Sequence, residues 1–158
     1  MPVRSAGILL YKTADDSTLQ VWIAHMGGPF WARKDAQAWS IPKGEYNDAE
    51  DPLAAALREF EEEIGVPAPE VPYAQLGEFR QASGKVITAF AGETDFRPAR
   101  ILSNTFPLEW PRGSGKVQNF PEIDDARWFT AEEARTKLVR GQIPILAALE
   151  EKLSAARS

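Results

Sequence analysis

The 158-residue chain contains no cysteine and a single histidine, His25. Disulfides and thiolate metal sites are therefore excluded, and one chain cannot assemble a polyhistidine site, so any metal it holds must be bound by oxygens. No apolar run approaches the ~20 residues needed to span a bilayer, and the N-terminal stretch MPVRSAGILLYKTADD reaches acidic residues too early for a signal peptide. The expected location is the cytoplasm, with no membrane partner. Cations are outnumbered as well: 18 Lys and Arg against 23 Asp and Glu leave a net charge of −5. Broad nucleic-acid binding, which depends on neutralising many phosphates, is not expected. A small anionic ligand held through a cation fits that balance.

What is present suits one domain, residues 1–158, with a single organised core. VRSAGILLYK (3–12) and LQVWIAHM (19–26) flank a TADDST turn and predict a β-hairpin. Residues 27–39, with Gly-Gly-Pro punctuation and no helical or strand period, predict a binding-type loop. WSIPKG predicts a short strand, followed by a helix from Pro52 to Ile64 with Asp51 as its N-cap and Gly65 as its end. AQLGEFRQ and KVITAFAGETD, joined at Ser-Gly, predict a second hairpin. The Pro- and Gly-rich stretch 96–124 reads as a functional loop or insertion, and ARWF as a short strand. Thr130 with Glu133 forms a capping-box pattern for a helix through Leu138, and IPILAALEEKLSAAR gives a C-terminal helix. Strands, helix, strands and helices in this order predict an α+β fold, a mixed β-sheet between helices in an α/β/α sandwich.

The segment GEYNDAEDPLAAALREFEEEIGV (44–66) gathers eight acidic side chains in 23 positions. On a helical wheel of ~100° per residue, Leu53, Leu57, Phe60 and Ile64 share one narrow face, and Glu59, Glu62 and Glu63 share the neighbouring arc. No Lys stands three or four positions away to relieve these carboxylates, so like-charge pairs cost a few tenths of a kcal/mol each. Positive charge from elsewhere is expected. Mg²⁺ takes carboxylate oxygens, keeps several waters and opens the rest of its shell to substrate phosphates. A run of three Glu taken alone reads as a solvated face.

The spacing around the run changes that reading. Gly44 is followed after five residues by Glu50, after seven more by Arg58-Glu59, then Phe60, Glu62-Glu63, Gly65 and Val66. This pattern resembles the Nudix box with every fixed position filled, and the PKGE segment before it and the later ARWFTAEEA also look like the Nudix hydrolases. The resemblance implies a Nudix fold and Mg²⁺- or Mn²⁺-dependent hydrolysis of a nucleoside diphosphate linked to another group. It further implies that Glu59, Glu62 and Glu63 ligate the cations, that the Gly44 carbonyl adds an oxygen, and that Arg58 holds the carboxylates in place. Glu50 braces the loop, binds metal through water, or complements the helix dipole. The general base is one of the box glutamates or an acid outside the box. For the latter role Glu122 leads, with Asp124, Asp125 and Glu109 behind it, and each also reads as a plain surface acid.

For the substrate, Lys43, Arg33 and Lys34 are candidates to meet phosphates, and Trp31, Trp110 and Phe120 to stack on a base or to anchor their loops. His25 is assigned no role. The WSIPKGE segment looks most like the Nudix branch that hydrolyses dinucleoside polyphosphates such as diadenosine tetraphosphate. Two readings stand beside it: a nucleoside triphosphate or oxidised-nucleotide pyrophosphohydrolase, and a Nudix module that senses a nucleotide without turning it over. The expected partner is a small nucleotide or polyphosphate, bound by a monomer or a homodimer.

Overall fold

A computed structural model describes residues 3–156. The first hairpin forms as expected: β1 (Arg4–Thr13) and β2 (Leu19–Met26) run antiparallel, with Leu10 opposite Trp22 and Thr13 opposite Leu19. Away from this turn the two strands diverge. Residues 39–45 fill the fork, β3 (Trp39–Ser40) pairing with β2 and β4 (Lys43–Glu45) pairing with β1, while the Ile8 N–H donates to the Pro42 carbonyl at 3.0 Å between them. On its other side β1 runs parallel to β6 (Val86–Glu93), which forms the second expected hairpin with β5 (Tyr73–Arg80). The remaining strand, β9 (Ile123–Thr130), is antiparallel to β2.

Strand alternation divides the core in two. Ala6, Ile8 and Leu10 of β1 join Trp22 and Phe90 beneath α1 (Pro52–Ile64). Leu9, with Val21, Ile23, Ile87 and Ala89, faces the opposite way, against α2 (Ala131–Lys137) and α3 (Ile143–Ala156). The α/β/α sandwich is therefore present. Both halves of the α2 capping box form: Thr130 Oγ1 accepts the Glu133 N–H at 3.1 Å, and Glu133 Oε1 accepts the Thr130 N–H at 2.9 Å. Arg157, expected to end the last helix, lies outside the described residues. Among the described residues no helix is long and apolar enough to cross a membrane.

Helix α1 starts and stops where its caps dictate. The Asp51 carboxylate accepts the Ala54 N–H at 3.0 Å, Pro52 occupies the first turn, and Gly65 at φ +90° donates its N–H to the Glu61 carbonyl. The buried face differs from the expected leucine stripe. Ala55, Ala56, Phe60 and Ile64 are buried, whereas Leu53 and Leu57 are half-buried at the rim. Small alanines permit a closer approach of the helix to the sheet, and the helix is rolled by roughly 50° about its axis relative to the leucine stripe, at ~100° per residue. That roll turns Glu59 and Glu63 toward the sheet and leaves Glu62 exposed.

The stretch 96–124, read from sequence as irregular, contains an antiparallel hairpin of β7 (Thr105–Glu109) and β8 (Val117–Pro121). Only Phe106, Leu108 and Phe120 among its ten strand residues are half-buried, so the apolar alternation that marks a core strand is nearly absent. Pro107 weakens it further and is tolerated because a two-stranded ribbon has only edges. Strand β9 likewise begins at Ile123, three residues before ARWF.

Candidate functional site

The fork between β1 and β2 sets β4 directly beneath the turned-in side of α1. A Cβ on Gly44 would lie 1.9 Å from Glu59 Oε2, so a larger residue there would push the Glu59 carboxylate out of its present place. Arg58 Nη2 lies 3.2 Å from Glu59 Oε1 and 3.2 Å from Glu50 Oε2. Arg58 thus bridges Glu59 to Glu50, and touches neither Glu62 nor Glu63 in any ion pair among the described residues. Glu50 also accepts the Asn47 N–H at 3.3 Å through Oε1, so it braces the 47–50 turn.

Burial pushes the Glu63 carboxyl up to about 8, opposed by the charge and backbone N–H of Lys43 and reinforced by the charges of Glu122 and Glu59. Glu59 is raised as well, first by burial, then by Glu62, with Arg58 opposing and Glu122 and Glu50 adding. Four acids, Glu59, Glu62, Glu63 and Glu122, therefore share one electrostatic environment, with Lys43 supplying positive charge from outside the helix and Arg58 from within it. Each carboxylate that is lowered by one cation is still raised on balance, and this excess of anionic oxygen is the chemistry a hard divalent ion relieves.

The sequence expectation of three converging helix carboxylates needs correction. Among the described residues no three acidic side chains stand close enough to form a ready cage, because the roll of α1 separates exposed Glu62 from inward Glu59 and Glu63. Mg²⁺ does not require such a cage, since it is commonly held by one or two carboxylates together with waters and substrate phosphates. The inward Glu59 and Glu63 carboxylates suit that mode, with Glu62 exposed at the rim.

The acids outside the helix separate clearly. Asp124 faces His25, Asp125 pairs with Arg127 at 2.7 Å, and Glu109 accepts the Gly113 N–H at 2.8 Å. Glu122 is exposed, and its carboxylate has no hydrogen-bond or ion-pair partner among the described residues, while its main chain is fixed by Asn104 and Gly27. It borders a cavity of about 370 Å³ whose apolar wall includes Phe30, Trp31, Phe106 and Leu108. Of these, only Trp31 was singled out from sequence, because Phe106 and Leu108 belong to the hidden hairpin. Arg33 is exposed on the same loop, and the Lys34 ammonium sits 3.6 Å above the Phe30 ring instead of standing free. Trp110 and Phe120 lie on the β7–β8 hairpin, Phe120 against Phe106 and Trp110 at the tip.

The family model for the NUDIX domain matches residues 1–149. The chain belongs to the NUDIX family. The NUDIX domain of Shewanella oneidensis NrtR, solved with ADP ribose, aligns with a TM-score of 0.65 at 17% identity, over 97% of this chain and 89% of that one. A C. elegans Ap4A hydrolase aligns with a TM-score of 0.61 at 18% identity, over 97% and 98% of the two chains. In sequence, the mRNA-decapping protein g5R of African swine fever virus (isolate Pig/Kenya/KEN-50/1950) is 33% identical over 101 residues, 61% of this chain and 39% of the viral protein. This Nudix chain thus matches well under half the length of that curated relative.

One residue of the Nudix domain left without a role by sequence has a definite place. His25 is buried, its Nε2–H donates to the Lys34 carbonyl at 2.6 Å, and its Nδ1 lies 2.7 Å from Asp124 Oδ1. Asp35 completes the anchor by accepting the Trp39 indole N–H at 2.9 Å and pairing with Lys137, which together hold its carboxyl below the usual range. These contacts pin the loop carrying Trp31 to the strand that follows Glu122. Replacing His25 by Ala removes two hydrogen bonds from a buried side chain to exposed partners, with an expected cost of about 0.5–1.5 kcal/mol for each. The same change should raise amide hydrogen exchange across residues 27–38, and unchanged exchange there would show that the histidine does not anchor the loop.

Proposed function

We propose that this Nudix domain hydrolyses a phosphoanhydride bond in a nucleoside diphosphate linked to another group, and that the linked group is a second nucleoside joined through a polyphosphate, as in diadenosine tetraphosphate. The observation that carries the proposal is the adjacency of two features: inward Glu59 and Glu63, both raised first by burial and both by the charge of Glu122, and an aromatic cavity bordered by that same Glu122. An acidic, cation-demanding floor beside an apolar wall is what a nucleotide's phosphates and base require.

Glu59 and Glu63, with the Gly44 carbonyl, would hold Mg²⁺ or Mn²⁺. When bound, such a cation polarises phosphoryl oxygens and makes water acidic enough to attack near neutral pH. Arg58 keeps Glu59 in place through its two ion pairs, and Lys43 places positive charge opposite Glu63. Glu122, whose carboxylate has no other partner, accepts the proton of the attacking water, and exposed Arg33 meets phosphate from the loop. Phe30, Trp31 and Phe106 receive the base.

Support for a two-headed substrate comes from the Ap4A hydrolase among the structural neighbours and from the decapping relative, because an mRNA cap is itself two nucleosides bridged by phosphates. Incubating the protein with Mg²⁺ and a panel of diadenosine polyphosphates, nucleoside triphosphates and ADP-ribose, in water enriched in heavy oxygen, tests the reading. The expected products are two nucleotides from the diadenosine compounds, with the label on one. Release of pyrophosphate from triphosphates alone would replace this substrate with a triphosphate pyrophosphohydrolase's, and binding without turnover of any compound would identify a sensor.

A further inference from the structure

The β7–β8 hairpin reaches past the cavity it helps to build. Phe106 and Leu108 line the cavity, and strand side chains alternate, so the next residue on that side is Trp110. The ladder continues to this point, since the Trp110 N–H donates to the Lys116 carbonyl at 2.9 Å. Trp110 and Lys116 are therefore cross-strand neighbours on the cavity side, roughly 7 Å beyond Leu108 at ~3.4 Å per residue.

The tip is held in one shape by its own hydrogen bonds. Glu109 accepts the Gly113 N–H at 2.8 Å, the Gln118 amide donates to the Trp110 carbonyl at 2.7 Å, and the Ser114 N–H donates to the Pro111 carbonyl at 3.0 Å. Nothing in the fold needs Trp110 there: it is 41% exposed, and it joins neither core cluster. Arg112 and Lys116 are exposed as well and have no ion-pair partner among the described residues, in a chain of net charge −5. An exposed indole on a hydrogen-bonded tip, on the side of the hairpin that carries Phe106 and Leu108 and beside cations with no ion-pair partner among the described residues, can stack a second planar, phosphate-bearing group.

We infer that Trp110 and Lys116, with Arg112, form a distal subsite that stacks the second nucleobase of a dinucleoside polyphosphate and receives its additional phosphates, while the Phe30–Trp31–Phe106 cavity takes the first. The inference rests on the nucleotide reading above and names what selects a two-headed substrate over a one-headed one.

Equilibrium calorimetry with methylene-bridged analogues of diadenosine tetraphosphate and of ATP, which report affinity without turnover, tests the subsite on the full chain. The wild-type protein should hold the diadenosine analogue about 10-fold more tightly than the ATP analogue, in keeping with one stacked base. Trp110→Ala and Lys116→Glu should erase that preference while leaving affinity for the ATP analogue unchanged, and Trp110→Phe should retain it. Equal wild-type affinities, or a Trp110→Ala loss shared by both ligands, would overturn the subsite; the former is also the outcome expected if the tip serves a protein partner. Hydrolysis of diadenosine polyphosphates without a Trp110-dependent preference sinks the subsite alone. A preserved preference without hydrolysis sinks the catalytic reading alone.

Discussion

Glu63→Gln lowers turnover by about 10²-fold or more while leaving the metal-free protein at least as stable as the wild type. Gln is nearly the same size and shape as Glu, so the packing of the half-buried side chain beside Lys43 is kept. What disappears is a partly desolvated charge that the fold alone opposes with one lysine. In the metal-free protein that charge is a cost, and above pH 8 its removal should raise the melting temperature. For hydrolysis the same charge is a requirement, because a neutral amide is a poor ligand for a hard cation. Activity and stability should therefore move in opposite directions. A variant that loses both has been damaged structurally, and one that keeps full turnover removes Glu63 from the site.

Metal-free stability should fall as pH rises from about 4.5 to about 8 and level off above that. Glu63 titrates near 8 in the folded chain against an ordinary 4.5, so in this window the native state binds more protons than the unfolded one. Stability then declines with pH, its full contribution being present below 4.5 and lost on passing through 8. Glu59, also raised, acts in the same sense. A divalent cation competes for the same oxygens and should displace about one proton per chain near pH 6.5 and none above pH 9. Calorimetry of Mg²⁺ binding in buffers of different ionisation heat measures this directly. Heats independent of the buffer at pH 6.5 would mean that cation and proton do not share Glu63.

The parts of this molecule that announce themselves in sequence are those fixed by local chemistry. Asp51, Pro52 and Gly65 set both ends of α1 through hydrogen bonds and dihedral angles that involve only near neighbours, and the Thr130–Glu133 capping box does the same for α2. The two large hairpins follow from alternating apolar residues that each meet a core. The roll of α1 is a tertiary property: Leu53 and Leu57 outweigh Ala55 and Ala56 on any hydrophobic wheel, but the alanines permit the closer approach and therefore face the sheet. Because of that roll, Glu59 and Glu63 turn inward and Glu62 does not, a distinction invisible in the EEE run.

The β7–β8 hairpin escaped for the opposite reason, since it packs on no core and the apolar Pro107 between Phe106 and Leu108 hides their alternation in the sequence. With it went Phe106 and Leu108, two of the apolar side chains that line the cavity. Glu122, Asp124, Asp125 and Glu109 are indistinguishable as letters. Only their partners separate them, because three are occupied by His25, Arg127 and the Gly113 N–H, and the fourth is left for chemistry.

The central claim is that α1 and β4 together hold a divalent ion in contact with a polyphosphate. Titrating Mn²⁺ into the protein with the methylene-bridged diadenosine analogue present, and following the free-ion paramagnetic resonance signal, tests it most directly. The wild type should take up at least one ion per chain, and this uptake should be lost when Glu59 and Glu63 are both replaced by Gln. No uptake by the wild type, or equal uptake by the double variant, would contradict it.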